Sequence, residues 1–122
     1  MKDEHFNIYL QNAENGHAPS QFIVGRYYAT LETLGQDYQK ALQWYRRAAE
    51  KDNVDAMYNL GSMYLQGQGV KKDYPRAMEW YLKASEKNHS FAQCNIGFLY
   101  QYGYGVKKDA KEADKWFKKA CM

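Results

Sequence analysis

The chain has 122 residues, one domain's worth of sequence, of which 45% are hydrophobic and 25% charged. A net charge of +3 is too slight for a dedicated nucleic-acid binder, no apolar run reaches the ~20 residues that a membrane span needs, and two cysteines do not make a disulfide framework. The opening MKDEHFNIYL has no apolar stretch of the kind a secretory signal carries, so a cytoplasmic location is expected, or a secreted or periplasmic one if a leader was removed.

Residues 3–14 read as a helix, and Ile8, Tyr9 and Ala13 recur 36 positions later as Trp44, Tyr45 and Ala49. This first segment, 1–17, is therefore a half repeat, expected to cover the open face of the helix that follows it. The next unit, about 18–53, pairs a helix near 18–31 with one near 37–51. Its turn carries Leu31 and Thr33 where later units have Gly67 and Gly103, and Gly69 and Gly105, while the spacing to Asp37 is unchanged. The first helix of this unit is expected to run on longer than its counterparts.

The middle unit, about 54–89, shows the pattern most clearly. Met57, Leu60, Gly61 and Tyr64 fall at i, i+3, i+4, i+7, and so do Ala77, Trp80, Tyr81 and Ala84. Each set is one helical face, giving a helix A at about 54–66 and a helix B at about 73–87. Between them, Gly67 and Gly69 suit positive φ, and Val70 is expected to plug the turn onto the pair. Asp73 is placed to cap helix B and Pro75 to sit in its first turn. The third unit, about 90–122, repeats this with helices near 90–102 and 109–121.

The register is ungapped. Gly25, Gly61 and Gly97 are 36 apart, as are Tyr28, Tyr64 and Tyr100, Trp44, Trp80 and Trp116, and Asp37, Asp73 and Asp109. A period of about 20–50 residues is the mark of a solenoid, because one helical hairpin cannot bury its apolar face alone and stacking does. The expected fold is all-α, an α-α superhelix of three helix-turn-helix repeats plus the N-terminal half repeat, forming one domain over 1–122.

No chemical constellation emerges. His17 and His89 are two periods apart and mark the same turn, so they do not make a metal or acid–base cluster. Glu14, Glu50 and Glu86 end the B helices and are not a carboxylate pair. The turns GQGVKKD and GYGVKKD lack the strand and the Ser/Thr of a phosphate loop. Lys71, Lys72, Lys107 and Lys108 read as solvated turn lysines. No catalytic, cofactor or metal site is expected, and a non-enzymatic role is the leading reading.

The motif A-x3-L-G-x2-Y-x2-G-x-G-V-x2-D-x3-A-x2-W-Y-x2-A resembles the Sel-1-like repeat, a relative of the tetratricopeptide repeat. The middle unit carries it as Ala56, Leu60, Gly61, Tyr64, Gly67, Gly69, Val70, Asp73, Ala77, Trp80, Tyr81 and Ala84. The third carries Ala92, Ile96, Gly97, Tyr100, Gly103, Gly105, Val106, Asp109, Ala113, Trp116, Phe117 and Ala120. The resemblance implies a bacterial adaptor or scaffold for other proteins, with roles in signalling, secretion, host contact or neutralisation of an effector. Cysteine-rich relatives bridge each helix pair. Here Cys94 is one residue off their helix-A position, and Ser85 and Ala49 stand where they would repeat Cys121.

In the tetratricopeptide relatives helix A lines the concave surface. Carried over, that points to Phe22, Arg26, Ala29 and Thr30 in the first repeat and to Tyr58, Ser62, Leu65 and Gln66 in the second. In the third it points to Cys94, Phe98, Gln101 and Tyr102. Arg26, Ser62 and Phe98 each follow their Gly directly and should form a stripe, polar at one end and aromatic at the other. The expected occupant is a protein or peptide partner. A second surface is the end of the last pair near Trp116, Phe117 and Ala120, expected to be open because the chain stops at Met122. A homodimer through that face, as a structural or oligomerising element, is the alternative to the adaptor, and an enzyme the weakest one.

Overall fold

The computed structural model describes residues 4–30 and 37–121, and its order is set by how each helix begins. Seven helices follow one another among the described residues: α1 (Glu4–Glu14), α2 (Ala18–Ala29), α3 (Tyr38–Glu50), α4 (Val54–Gln66), α5 (Tyr74–Glu86), α6 (Ser90–Tyr102) and α7 (Ala110–Cys121). The A helices α2, α4 and α6 open on His17, Asn53 and His89, whose side chains accept from the backbone N–H of Ser20, Ala56 and Ala92 at 3.3, 2.9 and 3.1 Å. The B helices α3, α5 and α7 open on Asp37, Asp73 and Asp109, which accept from Lys40, Arg76 and Glu112 at 3.1, 3.1 and 3.0 Å. Each of these satisfies an orphan donor of the first turn. The B helices thus start one residue after the aspartate rather than on it.

The turns between repeats also recur. Gly16, Asp52 and Asn88 hold φ of 95°, 66° and 64°, immediately before the three A-helix caps. Asp and Asn are the non-glycine residues that visit this region most readily. The amide of each B-helix cap, Asp37, Asp73 and Asp109, also donates to the carbonyl of Tyr28, Tyr64 and Tyr100 at 3.0, 2.9 and 2.9 Å. That bond ties the foot of each B helix to the end of its A helix.

Within each pair, a B-helix ring lies on an A-helix glycine. A Cβ at Gly25 would stand 2.7 Å from the Tyr45 ring, one at Gly61 2.7 Å from Tyr81, and one at Gly97 2.5 Å from Phe117. Between repeats, the A–B turn leans on the preceding B helix. A Cβ at Gly69, at φ 74°, would meet the backbone of Tyr38 at 2.8 Å, and one at Gly105 would meet Tyr74 Cβ at 2.7 Å. Val70 and Val106 are partly buried against the core beside these contacts. Each helix packs on the one before it and the one after it, which makes the stack a solenoid.

Two expectations change. The first A helix does not run on: it ends at Ala29, with the Thr30 N–H and hydroxyl both donating to the Arg26 carbonyl at 3.0 and 2.8 Å. The divergent turn residues Leu31 and Thr33 lie outside the described residues. In α1, Ile8 and Tyr9 are 57% and 37% exposed, whereas Tyr45 is buried. Tyr45 is buried because it rests on the glycine of its own A helix, and no such helix precedes α1 among the described residues. The cover is made instead by Phe6 and Ala13, with Leu10 at their edge, and Phe6 stacks on Tyr27 at 4.0 Å.

Two outcomes test this packing. An exposed helical Gly→Ala change gains about 1 kcal/mol, but Gly61→Ala must push a fully buried Tyr81 ring and should lose about 1–2 kcal/mol net by urea unfolding. The same change in a Tyr81→Leu background should turn stabilising. His89→Asn should leave the thermal midpoint near wild type, since Asn53 caps the in-register helix, whereas His89→Ala should cost about 1 kcal/mol.

Candidate protein-interaction groove

Successive A helices leave a cavity between them, and the two cavities are the same position seen twice. The first, about 190 Å³, lies between α2 and α4 and is lined by Ala29, Tyr38, Tyr45, Asn59, Ser62, Met63 and Gln68. The second, about 280 Å³, lies between α4 and α6 and is lined by Leu65, Tyr74, Asn95, Phe98, Leu99, Tyr102 and Tyr104. Adding 36 to Ala29, Tyr38, Asn59, Ser62, Met63 and Gln68 gives Leu65, Tyr74, Asn95, Phe98, Leu99 and Tyr104. The frame is shared and the chemistry is not.

The first cavity is polar. Ser62 Oγ and the Tyr81 hydroxyl are 2.9 Å apart, and Gln68 Nε2 reaches the Tyr38 hydroxyl at 3.5 Å. Burial pushes the Tyr45 phenol up to about 12, against the opposing pull of a hydrogen bond with Asn59 and the nearby charge of Arg26. Burial likewise raises Tyr81, opposed by its hydrogen bonds with Ser62 and Asn95. The Arg26 guanidinium stacks over Phe22 at 5.8 Å, and Phe22 packs on Tyr45 at 5.8 Å.

The second cavity is a ladder of rings. Phe98 meets Phe117 edge-on at 5.1 Å and stacks with Tyr102 at 6.5 Å. Tyr102 stacks with Tyr104 at 5.7 Å, and Tyr104 with Tyr74 at 4.9 Å. Phe98, Tyr102 and Tyr104 are nonetheless 48%, 56% and 44% exposed. Lys72 Nζ stands 5.9 Å from the Tyr74 ring centre.

Of the residues expected from sequence, Ser62 lines the first cavity with Ala29, and Phe98 and Tyr102 line the second with Leu65. Phe22 and Arg26 sit beside the first. Thr30 is exposed at the end of α2, and Gln66 is exposed on α4 without lining either cavity. Tyr58 packs on Tyr81 at 5.7 Å and stacks on His89 at 4.8 Å, so it is half spent on structure. Gln101 lies apart, in a shallow cavity with Ala110, Ala113, Asp114 and Phe117. That shallow cavity and the half-buried Trp116, Phe117 and Ala120 lie together on the last helix pair of the described residues. Trp116 packs against the core beneath Lys119, while Phe117 and Ala120 are half-buried where Tyr81 and Ala84 are fully buried.

Sequence reasoning missed Asn59 and Asn95, Tyr38 and Tyr74, and Gln68 and Tyr104. The signal for the last pair was present. The two turns GQGVKKD and GYGVKKD differ only at that position.

Paired helices at a fixed period, with a groove along the A helices and its variable side chains inside, define an α-solenoid of the helical-repeat class. The Sel1 repeat family model matches residues 18–53, 54–89 and 90–122, and the chain belongs to the Sel1 repeat family. It is similar to the crystal structure of a Sel1 repeat protein from Oxalobacter formigenes, with 30% identity, TM-score 0.89, and coverage of 93% of this chain and 87% of that one. It is also similar to c5321, a protective antigen of uropathogenic Escherichia coli displaying this repeat fold, at 41% identity and TM-score 0.89 over 94% of this chain and 25% of that one. Cysteine rich protein B of Helicobacter pylori matches at 26% identity and TM-score 0.74, over 97% of this chain and 87% of that one. No curated protein matches the chain. Sel1 repeat proteins generally act in protein–protein interaction and are typically non-enzymatic scaffolds. No helix among the described residues is long and apolar enough to cross a membrane.

The buried phenols give a pH signature of the groove wall. The folded Tyr45 phenol, near 12, holds its proton above the pH of about 10 at which an unfolded phenol loses it. Its contribution is therefore intact below pH 10 and falls as pH rises toward 12, by about 2 kcal/mol. Urea unfolding between pH 9 and 12 should show a shallower loss in Tyr45→Phe than in the parent chain.

Proposed function

We propose that this chain is a protein-interaction module whose partner segment lies along the groove of α2, α4 and α6. Supporting it is one observation: the two cavities share their frame at six in-register positions, yet one is lined by Ser62 and Gln68 and the other by Phe98 and Tyr104. Positions that build the scaffold, such as Gly25, Gly61 and Gly97, repeat; the groove changes where a partner would be read. Exposed, pre-stacked rings such as Phe98 and Tyr102 are rigid, and rigid aromatic anchors dominate interface energetics. On this reading Phe22, Arg26, Ser62, Phe98 and Tyr102 form the contact surface, with Tyr58 behind it and Thr30, Gln66 and Gln101 at its margins. The unit spans 1–122, with 1–17 as its leading half repeat, and it works as an adaptor for or regulator of a bacterial partner protein rather than as an enzyme.

A second reading draws on the half-buried Phe117 at the end of α7, whose in-register counterpart Tyr81 is fully buried. Self-association through that face would bury it, and light scattering across a concentration series reports it directly. For the groove, a photo-crosslinking residue at Ser62 should capture the partner in lysate, and one at Lys83, beside Trp80 on a different face, should not. Capture from Lys83 alone would overturn the groove.

A further inference from the structure

The chemistry of the groove constrains what can lie in it. No carboxylate lines either cavity among the described residues. The charges at the groove margin are cationic: Arg26 beside the first cavity, and Lys72 over Tyr74 at the rim of the second. Lys71, Lys107 and Lys108 are exposed in the same turns. The aspartates nearby, Asp73 and Asp109, are occupied in capping α5 and α7. No carboxylate among the described residues pairs with Arg26. The guanidinium is held over Phe22 on the helical face that also carries Ala29, three residues on, at the wall of the first cavity.

That cavity offers donors in keeping with an anion. The Ser62 hydroxyl and the Asn59 and Gln68 amides line it, and Arg26 stands near its Tyr45 wall. Ser62, Gln68 and Asn59 already bond Tyr81, Tyr38 and Tyr45, so a carboxylate there would pair chiefly with Arg26, a charge-assisted bond being the stronger kind. The next cavity offers the opposite. Apart from Asn95, its wall is Leu65, Leu99, Phe98 and three tyrosine rings, and its 280 Å³ exceeds the ~150 Å³ that suffices for a benzene ring.

We propose that the groove takes an extended acidic segment of a partner protein, seating a carboxylate side chain beside Arg26 and an aromatic side chain against Phe98 and Tyr102. Arg26 is on α2 and Phe98 on α6, two A-helix steps of about 10 Å each, and an extended chain rises about 3.3 Å per residue, so the two anchors are about six residues apart. The polar cavity sets the charge of the partner, and the aromatic cavity supplies most of the buried area. This assignment rests on the groove reading above and adds the chemistry of the occupant to it.

Fluorescence anisotropy with the full chain and short labelled peptides tests it. Peptides with Asp and Phe about six residues apart, made in both chain directions, are compared with their Lys-for-Asp and Ser-for-Phe counterparts. One acidic aromatic peptide should bind at least about tenfold more tightly than either control. Arg26→Glu should reverse the preference between Asp and Lys. Phe98→Ser should weaken the aromatic peptide by about tenfold while leaving the charge preference in place. Both side chains are exposed, and circular dichroism melting confirms that each variant is folded. Equal binding of the Asp and Lys peptides that still responds to Phe98→Ser overturns the carboxylate assignment and leaves the groove standing. Binding indifferent to both substitutions overturns the groove as well. No binding of either acidic peptide up to about 1 mM overturns the assignment, and the crosslink from Ser62 then decides the groove separately.

Discussion

One contact recurs in every pair: an aromatic ring on helix B set with one edge in the space that a Cβ would fill on helix A. Tyr45 on Gly25, Tyr81 on Gly61 and Phe117 on Gly97 are the same contact at three points in the stack. The ring fills the missing side chain's volume, so the B helix has little freedom to slide or rotate on its partner. Interiors are close-packed, and a rotation that lifted the ring would open a void at the glycine. With rotation set, the other faces follow. Trp80 turns toward Ala49 of the preceding repeat and Met57 of its own, and the hydroxyl of the neighbouring Tyr81 reaches Ser62 at the groove wall. A solenoid repeats its geometry from unit to unit, so an error in one pair would carry through the stack.

A second contact joins the repeats, and it couples scaffold to surface. The turn glycines Gly69 and Gly105 press on the backbone at Tyr38 and Tyr74, closer than any side chain allows. The same contact brings those two tyrosines to the cavity walls and aims the intervening turn residue, Gln68 or Tyr104, at them. A residue flanked by two glycines would ordinarily sit on a loose turn. Here the backbone around it is clamped, and the side chain becomes part of a rigid groove. Variation at that single position alters the groove without altering the fold.

Much of the fold was legible because its determinants are local. Each helix start is written by a side chain that bonds three residues ahead: His17, Asn53 and His89 for the A helices, and the three aspartates for the B helices. The A-helix ends follow from Gly67 and Gly103, which hold φ of 70° and 71°. Departures arose where a residue's fate depended on a neighbour. Tyr9 shares the register of Tyr45, but no glycine-bearing helix precedes its own among the described residues. Gln101 shares a helix with Phe98 yet lies in a separate cavity.

The sequence by itself determined the period, the helix pairs and the family, because periodicity, caps and small residues act over a few positions along the chain. Tertiary structure alone decided which side chains meet. Tyr74 and Tyr104 are thirty residues apart and stack at 4.9 Å, and Arg26 reaches the environment of Tyr45 across two helices. The groove is built from pairs like these, brought together by stacking one repeat on the next. Its polar first half and aromatic second half become neighbours only through that stacking.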